Sequence, residues 1–302
     1  MTRLPQIALL PDGKRLHLQD GPIDLIVEAK GRDGDIRAGY EAAAQRFTGL
    51  LDELCAELAE LRKPAHPRLC ALQGVVARRM HKAVAPFAAD CFITPMAAVA
   101  GSVAEEILAA MLRIAPFDRA YVNNGGDIAL HLTGPEKFTV GLMDRPDRDG
   151  VMRTMIVDAG MPTRGVATSG RHGRSFSLGI ADAVTVLART ASQADAAATI
   201  IANAVDLPGH PAILRIPATD LQPDSDLGVR LVTRDVGPLS AGEIDQALEA
   251  GAVRAGDLLT SGLIEGAALR LLGETVIVGA TGSAVSTSQA SHGTTMARMM
   301  HA

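Results

Sequence analysis

The sequence predicts an α+β fold built mainly on antiparallel sheet. Three observations carry this. Short strand-like runs come in adjacent groups split by turn signals. Helical spacing appears in blocks rather than alternating one for one with strands, which disfavours a doubly wound parallel sheet. And "NNGGD" (123–127) places a tight-turn signal between two apolar runs of strand length. The order strands, helices, strands recurs in both halves, a pattern compatible with internal duplication.

Residues 6–30 read as strands: "IALL", "RLHLQ" and "IDLIVEA", separated by "PDGK" and "DGP". Over 40–62 the period changes. Phe47, Leu50, Leu51, Leu54, Leu58 and Leu61 recur at helical spacing, and Pro64 closes the segment. A second helix is predicted over about 68–84, with Leu72, Val76, Met80 and Val84 on one face. A third covers 95–112, with Pro95 near its start. It is small and apolar on nearly all sides until Glu105 and Glu106, so it reads as a buried helix with a solvated acidic end. Strands return in "DRAYVNN", "DIALHL", "FTVGLM", "TMIVDAG", "RGVATS" and "ADAVTVLA". Asp182, inside the last of these, reads as a buried hydrogen-bonding carboxylate. An Ala-rich helix follows at about 193–205, then "AILRIPA" and "VRLVTRDV". Helical segments run from about 240 to 271, and "ETVIVGA" is a final strand. The pattern fits one domain over 1–280, with a small, polar, flexible tail over 281–302.

The 302 residues suffice for a sizeable core. With no Trp, two Tyr and six Phe, that core must be aliphatic. A net charge of −5 with no basic stripe argues against nucleic acid as a partner. Three widely spaced cysteines, with no CxxC, fit unpaired thiols in a reducing compartment. The N-terminal stretch does not read as a signal peptide, and no run of 18 uninterrupted apolar residues suggests a membrane span. The expectation is a cytoplasmic protein without membrane partners.

Three stretches are candidates for chemistry. In "NNGGD", two glycines strip away side chains, so that backbone N–H groups can touch a ligand. Asn123 and Asp127 bracket Gly125 and Gly126 with an amide and a carboxylate. Read alone, the stretch is equally a plain hairpin. In "GVATSGRHGRSFSLG" (165–179), Gly170 and Gly173 free the backbone, and Thr168 and Ser169 carry hydroxyls. Arg171 and Arg174 supply forks that match phosphate oxygens, with His172 between them. A polar surface loop is the commoner source of such composition. In "SQADAAATIIANAV" (192–205), Asp195 and Thr199 share a helix face beside small alanines. A carboxylate and a hydroxyl are hard oxygen donors of the kind Mg2+ accepts. The alternative is a capping box of Ser192 and Asp195, with Thr199 bonded to its own helix. The eight histidines show no zinc-like spacing, and no GxSxG elbow is present.

Together and in this order, the three stretches resemble the ApbE superfamily of flavin transferases. Its members carry N-x-G-G-D/E, then A-T-S-G, then A-D-A-x-x-T after a strand. Here these read Asn123 to Asp127, Ala167 to Gly170, and Ala194 to Thr199. The upstream "DCFITPMAAVAG" is similar to a further family segment. The match is nearest to a cytosolic ApbE-like branch and covers about 15–275. The resemblance implies a T-fold-like α+β architecture, with FAD or a related flavin nucleotide held between Asn123, Gly125, Gly126, Asp127 and Thr168, Ser169, Gly170, Arg171, Arg174. It implies Mg2+ on Asp195 and Thr199, transfer of FMN to a protein acceptor or hydrolysis of the FAD pyrophosphate, and assembly into a homo-oligomer as T-folds do. One departure stands out: the family's "H-x-I-x-D-P-x-T-G" segment has no counterpart. On that ground His172 is the candidate substitute as catalytic base beside Asp195. Loss of the chemistry, with a flavin- or pterin-like binding pocket retained, is the alternative.

Overall fold

The computed structural model describes residues 4–143 and 151–279. The chain opens with three strands, β1 (Gln6–Leu9), β2 (Leu16–Asp20) and β3 (Ile23–Lys30). Helices follow: α1 (Asp33–Phe47), α2 (Leu50–Ala56), the single turn α3 (Leu58–Leu61) and α4 (Val75–Val84). A 3-10 turn at Pro95–Ala98 leads into α5 (Val99–Ile114). Then come β4 (Arg119–Asn124), β5 (Asp127–Leu132), β6 (Lys137–Met143), β7 (Val151–Asp158), β8 (Gly165–Ser169) and β9 (Ala183–Ala188). After α6 (Ala191–Ala204), the pair β10 (Ile213–Pro217) and β11 (Leu231–Val236) flanks the short α7 (Ala218–Leu221). The long α8 (Ala241–Thr260) precedes β12 (Gly266–Leu271) and β13 (Glu274–Gly279). The tail expected over 281–302 lies outside the described residues.

Nine strands form one sheet in the order β1-β2-β3-β4-β5-β8-β9-β12-β13, and every neighbouring pair is antiparallel. Two halves repeat one pattern. In the first, β2 and β3 are joined through helices to β4 and β5. In the second, β8 and β9 are joined through α6 and α8 to β12 and β13. Spatial order follows chain order in both. The expected α+β, mainly antiparallel architecture is therefore present, with the recurrence written into the sheet itself.

Strand alternation assigns the faces. In β2, Leu16 and Leu18 are buried while His17 and Gln19 point outward. On one face, Val27, Ala120, Val122 and Ala129 meet α1, α4 and α5. Farther along that face, Ala167, Val184 and Val186 meet α6, and Leu269 meets α8. On the other face, Tyr121, Ile128, Leu130, Val166 and Leu187 are covered by Phe138, Val140 and Val157 of the β6–β7 hairpin. The core is mainly aliphatic, as the composition requires, with four of the six Phe buried in it.

Several expectations shift. The helix expected over 40–62 begins at Asp33 and breaks at Gly49, whose φ of +82° ends the first run. The second helix is shorter than expected, Val75–Val84. The helical reading of 240–271 stops at Thr260, because Gly266–Leu271 is pinned between β9 and β13. The acidic pair expected as a solvated end lies at the middle of α5 and is not solvated: Glu106 is buried against Arg46 and Arg79, and Glu105 pairs with Arg79. By length and composition alone, α5 with the turn before it is long and apolar enough to span a membrane. Instead it packs against α1, α6 and strands β4 and β5 as a core helix.

Candidate functional site

The β4–β5 hairpin turns on Gly125 and Gly126, with φ of +62° and +113°, between the register pair Asn124 and Asp127. Both turn residues lie in the left-handed region, where side chains are disfavoured, so the two glycines are what make so tight a reversal available. The Asn123 Oδ1 accepts the Gly126 N–H at 2.8 Å and stiffens the turn. Asn124 is buried and donates from Nδ2 to the Ala100 carbonyl at 3.2 Å, tying the turn to the start of α5.

Asp127 follows the turn. Its parity matches Ala129, so its side chain leaves the sheet on the helix-covered face. The carboxylate accepts the Thr168 N–H from β8 at 3.2 Å. Thr168 faces the other way, sharing its hydroxyl with that of Thr185 at 2.9 Å. Ser169 ends β8 opposite Val184.

Asp195 arrives from α6. Thr190 caps that helix, its hydroxyl accepting the Gln193 N–H, so the capping-box reading of Ser192 and Asp195 does not hold. The Asp195 carboxylate instead crosses to α5, where Oδ2 accepts the Gly101 N–H at 3.0 Å. Close approach allows this: a Cβ on Gly101 would lie 2.6 Å from the Ala191 carbonyl carbon and 2.8 Å from Ser192 N. Thr199 sits one turn beyond, half-buried. Its hydroxyl has no hydrogen-bond partner among the described residues, although Thr48 and Thr260 both bond back to their own helices.

Asp127 and Asp195, from segments 68 positions apart, therefore lie near each other where β5, α5 and α6 meet. Burial, and then the neighbouring Asp195 charge, push the Asp127 carboxyl well above its ordinary range; the Thr168 N–H offsets this only in part. Burial lifts Asp195 to about 7 against the pull of the Gly101 and Ala100 amides. Among the described residues neither carboxylate has a Lys, Arg or His ion-pair partner. Two enclosed carboxylates sharing space without a cation form a strongly cation-seeking arrangement. The donors are hard oxygens, which suits Mg2+ completed by water and phosphate oxygens. No group of three His, Cys, Asp or Glu converges among the described residues, so a metal held wholly by such side chains has no site there.

The remaining candidates divide into two groups. Arg174 is exposed over the hairpin turn, its guanidinium carbon 3.7 Å from where a Gly125 Cβ would stand. Its hydrogen bond to the Pro22 carbonyl is long at 3.5 Å. Arg171 and His172 turn instead to Asp182, just before β9. Arg171 approaches Asp182 Oδ1 at 2.6 Å and His172 Nε2 lies 3.2 Å from the same atom. The Leu272 N–H holds the other oxygen at 2.6 Å. Asp182 is the buried hydrogen-bonding carboxylate the sequence suggested, and it gathers part of the Gly170–Gly173 turn around itself. Sequence reasoning did not single out the Ala100 and Gly101 amides or Asn124. The signal available was the small-residue segment "PMAAVAG", which permits backbone to approach backbone.

Known proteins resemble this chain at three levels. Residues 7–277 match the family model described as "AbpE bacteria". A UPF0280 protein of Methanopyrus kandleri is 43% identical over 129 residues, 42% of this chain and 48% of that protein. A UPF0280 protein of Methanothermobacter thermautotrophicus is 42% identical over 118 residues, 38% of this chain and 44% of the relative. The chain thus spans about half the length of the curated relatives it matches. Among solved structures, the apo form of Pseudomonas stutzeri flavinyl transferase ApbE aligns over 91% of this chain and 93% of that one, with a TM-score of 0.46 and 11% identity. With the family model covering nearly all of the described residues, the chain belongs to the bacterial AbpE family.

Proposed function

We propose that this protein binds FAD, or a related flavin nucleotide, with Mg2+ beside Asp127 and Asp195, and transfers FMN to an acceptor or hydrolyses the pyrophosphate. The observation that carries this is the convergence of two enclosed carboxylates without a compensating cation. The three motifs and family membership support the flavin. Asp195 and Thr199 would hold the cation, which, when bound, neutralises pyrophosphate charge and makes phosphorus more electrophilic.

The chain's own residues supply placement. The Gly101 amide pins Asp195 Oδ2 and so restricts how the carboxylate presents its other oxygen. The Gly125–Gly126 turn leaves bare backbone, and Arg174 beside it offers a guanidinium to an anion. A hydroxyl of the acceptor, or water, forms a new bond to the FMN phosphorus. The anhydride P–O bond breaks, AMP leaves with the electron pair, and the hydroxyl proton passes to solvent. A cytoplasmic protein acceptor and a homo-oligomeric state complete the proposal.

One observation favours the binder without chemistry: His172 Nε2 meets Asp182, a carboxylate already held by Arg171 and the Leu272 N–H. FAD titration with and without Mg2+, with analysis for FMN and AMP, separates the two. Turnover that Asp195→Ala abolishes supports the enzyme. Tight binding without FMN or AMP supports the binder, and no flavin binding refutes both.

A further inference from the structure

Asp195 does not set its own aim. Its contact with Gly101 runs from α6 to the first turn of α5. A second contact runs the opposite way: Ser192 N–H, in the first turn of α6, donates to Glu105 Oε1 on α5 at 2.6 Å. Ser192 and Asp195 are three residues apart on one helix, and Gly101 and Glu105 four apart on the other, so each pair shares a face. The two bonds close a ring in which each helix start is held by a carboxylate of the other helix. Backbone N–H groups at helix starts have no partner within the helix and favour negative charge.

Glu105 is itself held. Arg79 Nε lies 3.2 Å from Oε2, and Arg79 also donates to the Ser102 carbonyl at 3.1 Å and to Glu106 at 2.9 Å. Arg46 anchors Glu106 from α1 at 2.7 Å. A train of charge therefore runs from α1 through α5 and α4 to the first turn of α6, and one turn later stands Asp195. Ser192 and Glu106 are buried, which fixes the ring within the interior.

We infer that Glu105 is a positioning residue for the proposed cation site: through Ser192 it sets the rotation and height of α6 against α5, and thereby aims Asp195. The role rests on the reading that Asp195 binds a divalent cation. Glu105 acts through Ser192 and would touch neither cation nor flavin.

The test uses the full chain, with Mn2+ as the probe. Free Mn2+ is followed by electron paramagnetic resonance, and the Gly101 amide of the metal-free protein by NMR hydrogen exchange. Glu105→Ala should weaken Mn2+ binding about 10-fold or more, the usual size for loss of a group that orients a ligand. It should also lower protection of the Gly101 amide, as Asp195→Ala should by removing the acceptor itself. Glu105→Gln keeps the acceptor for Ser192 and should restore both readouts to near wild type. Glu60→Ala, which removes an exposed carboxylate elsewhere, should change neither.

If Glu105→Ala melts lower yet keeps Mn2+ affinity and Gly101 protection, Glu105 is only a structural support and the inference fails. If Asp195→Asn loses Mn2+ while Glu105→Ala retains it, the inference fails and the metal reading stands. If Asp195→Asn binds Mn2+ as wild type does, both fall. Should Glu105→Ala not fold, Glu105→Asp replaces it: the charge is kept but the reach is shortened. Loss of affinity in Glu105→Asp with retention in Glu105→Gln supports the role, and any other combination overturns it.

Discussion

Replacing Asp195 with asparagine should stabilise the metal-free protein at alkaline pH. Asp195 is lifted from its ordinary 3.8 to about 7, by burial first, against the pull of two backbone amides. The folded state therefore holds a proton that the unfolded chain releases near pH 4. Between these values the folded state binds more protons, so stability falls as pH rises and stays lost above about 7. At about 1.4 kcal/mol per unit of pH, the displacement corresponds to about 4 kcal/mol, which water reaching a half-buried group reduces to about 2–4 kcal/mol. Asp127 adds a slope of the same sign, since it too is raised. The asparagine side chain would keep an acceptor for the Gly101 N–H, at a cost of about 1 kcal/mol for the weaker neutral bond. Urea unfolding in EDTA from pH 4 to pH 8.5 should show a steep decline for wild type and a shallower one for Asp195→Asn. The variant should be the more stable protein at pH 8. Mg2+ at 100 times its dissociation constant should return about 2.7 kcal/mol to wild type alone. A wild-type curve that is flat across this range, or identical slopes in the two proteins, would refute the reasoning.

Gly101→Ala should cost about 2–4 kcal/mol, because the added methyl meets the Ala191 backbone rather than a side chain that can swing away; an unchanged melting temperature would show that α5 and α6 are not in this contact. Glu106→Ala should cost about 1.5–3 kcal/mol by removing the carboxylate that Arg46 and Arg79 share, although Arg46 keeps Glu53 and Arg79 keeps Glu105. Burial alone would raise the Glu106 carboxyl, but the two guanidiniums hold it below its ordinary range, so its contribution is present at neutral pH and lost on acidification. A Glu106→Ala protein as stable as wild type at pH 7 contradicts this. Thr199→Val should leave stability within about 0.5 kcal/mol, since the hydroxyl has no partner to lose, yet weaken Mn2+ binding; equal affinity by titration removes Thr199 from the cation site.

Much of the site's scaffold is legible in the sequence because its rules are local. Paired glycines between apolar runs specify a two-residue hairpin, and the turn falls where the pattern puts it. Asp195 and Thr199 lie on α6 within a turn of each other because helical spacing requires it. What escapes depends on neighbours distant in sequence. "GAALRLL" lacks β-branched residues and reads as helix, but two flanking strands and burial of nearly every residue make it β12. Nothing near Glu106 in sequence announces Arg46, sixty positions upstream. The start of α1 carries no side-chain cap at Arg32, which leaves only the acidic first turn, Asp33 and Asp35, to mark the boundary. Asp195 reads as part of a local cap because its true partner, an amide on another helix, leaves no mark in the surrounding residues.

The two halves of the long sheet meet at β5 and β8, where only Ile128–Val166 and Ala129–Gly165 pair. Longer ladders run through each half, so this junction is the narrowest in the sheet. Asp127 and Thr168 lie at one edge, where their mutual bond prolongs it by one link, as the Leu130 N–H to the Arg164 carbonyl does at the other. An occupant gripping Asp127 from one half and Asp195 from the other would act as a rivet across the thinnest part of the fabric. Its arrival would slow amide exchange on both sides of the join together, while the outer strands kept their former rates.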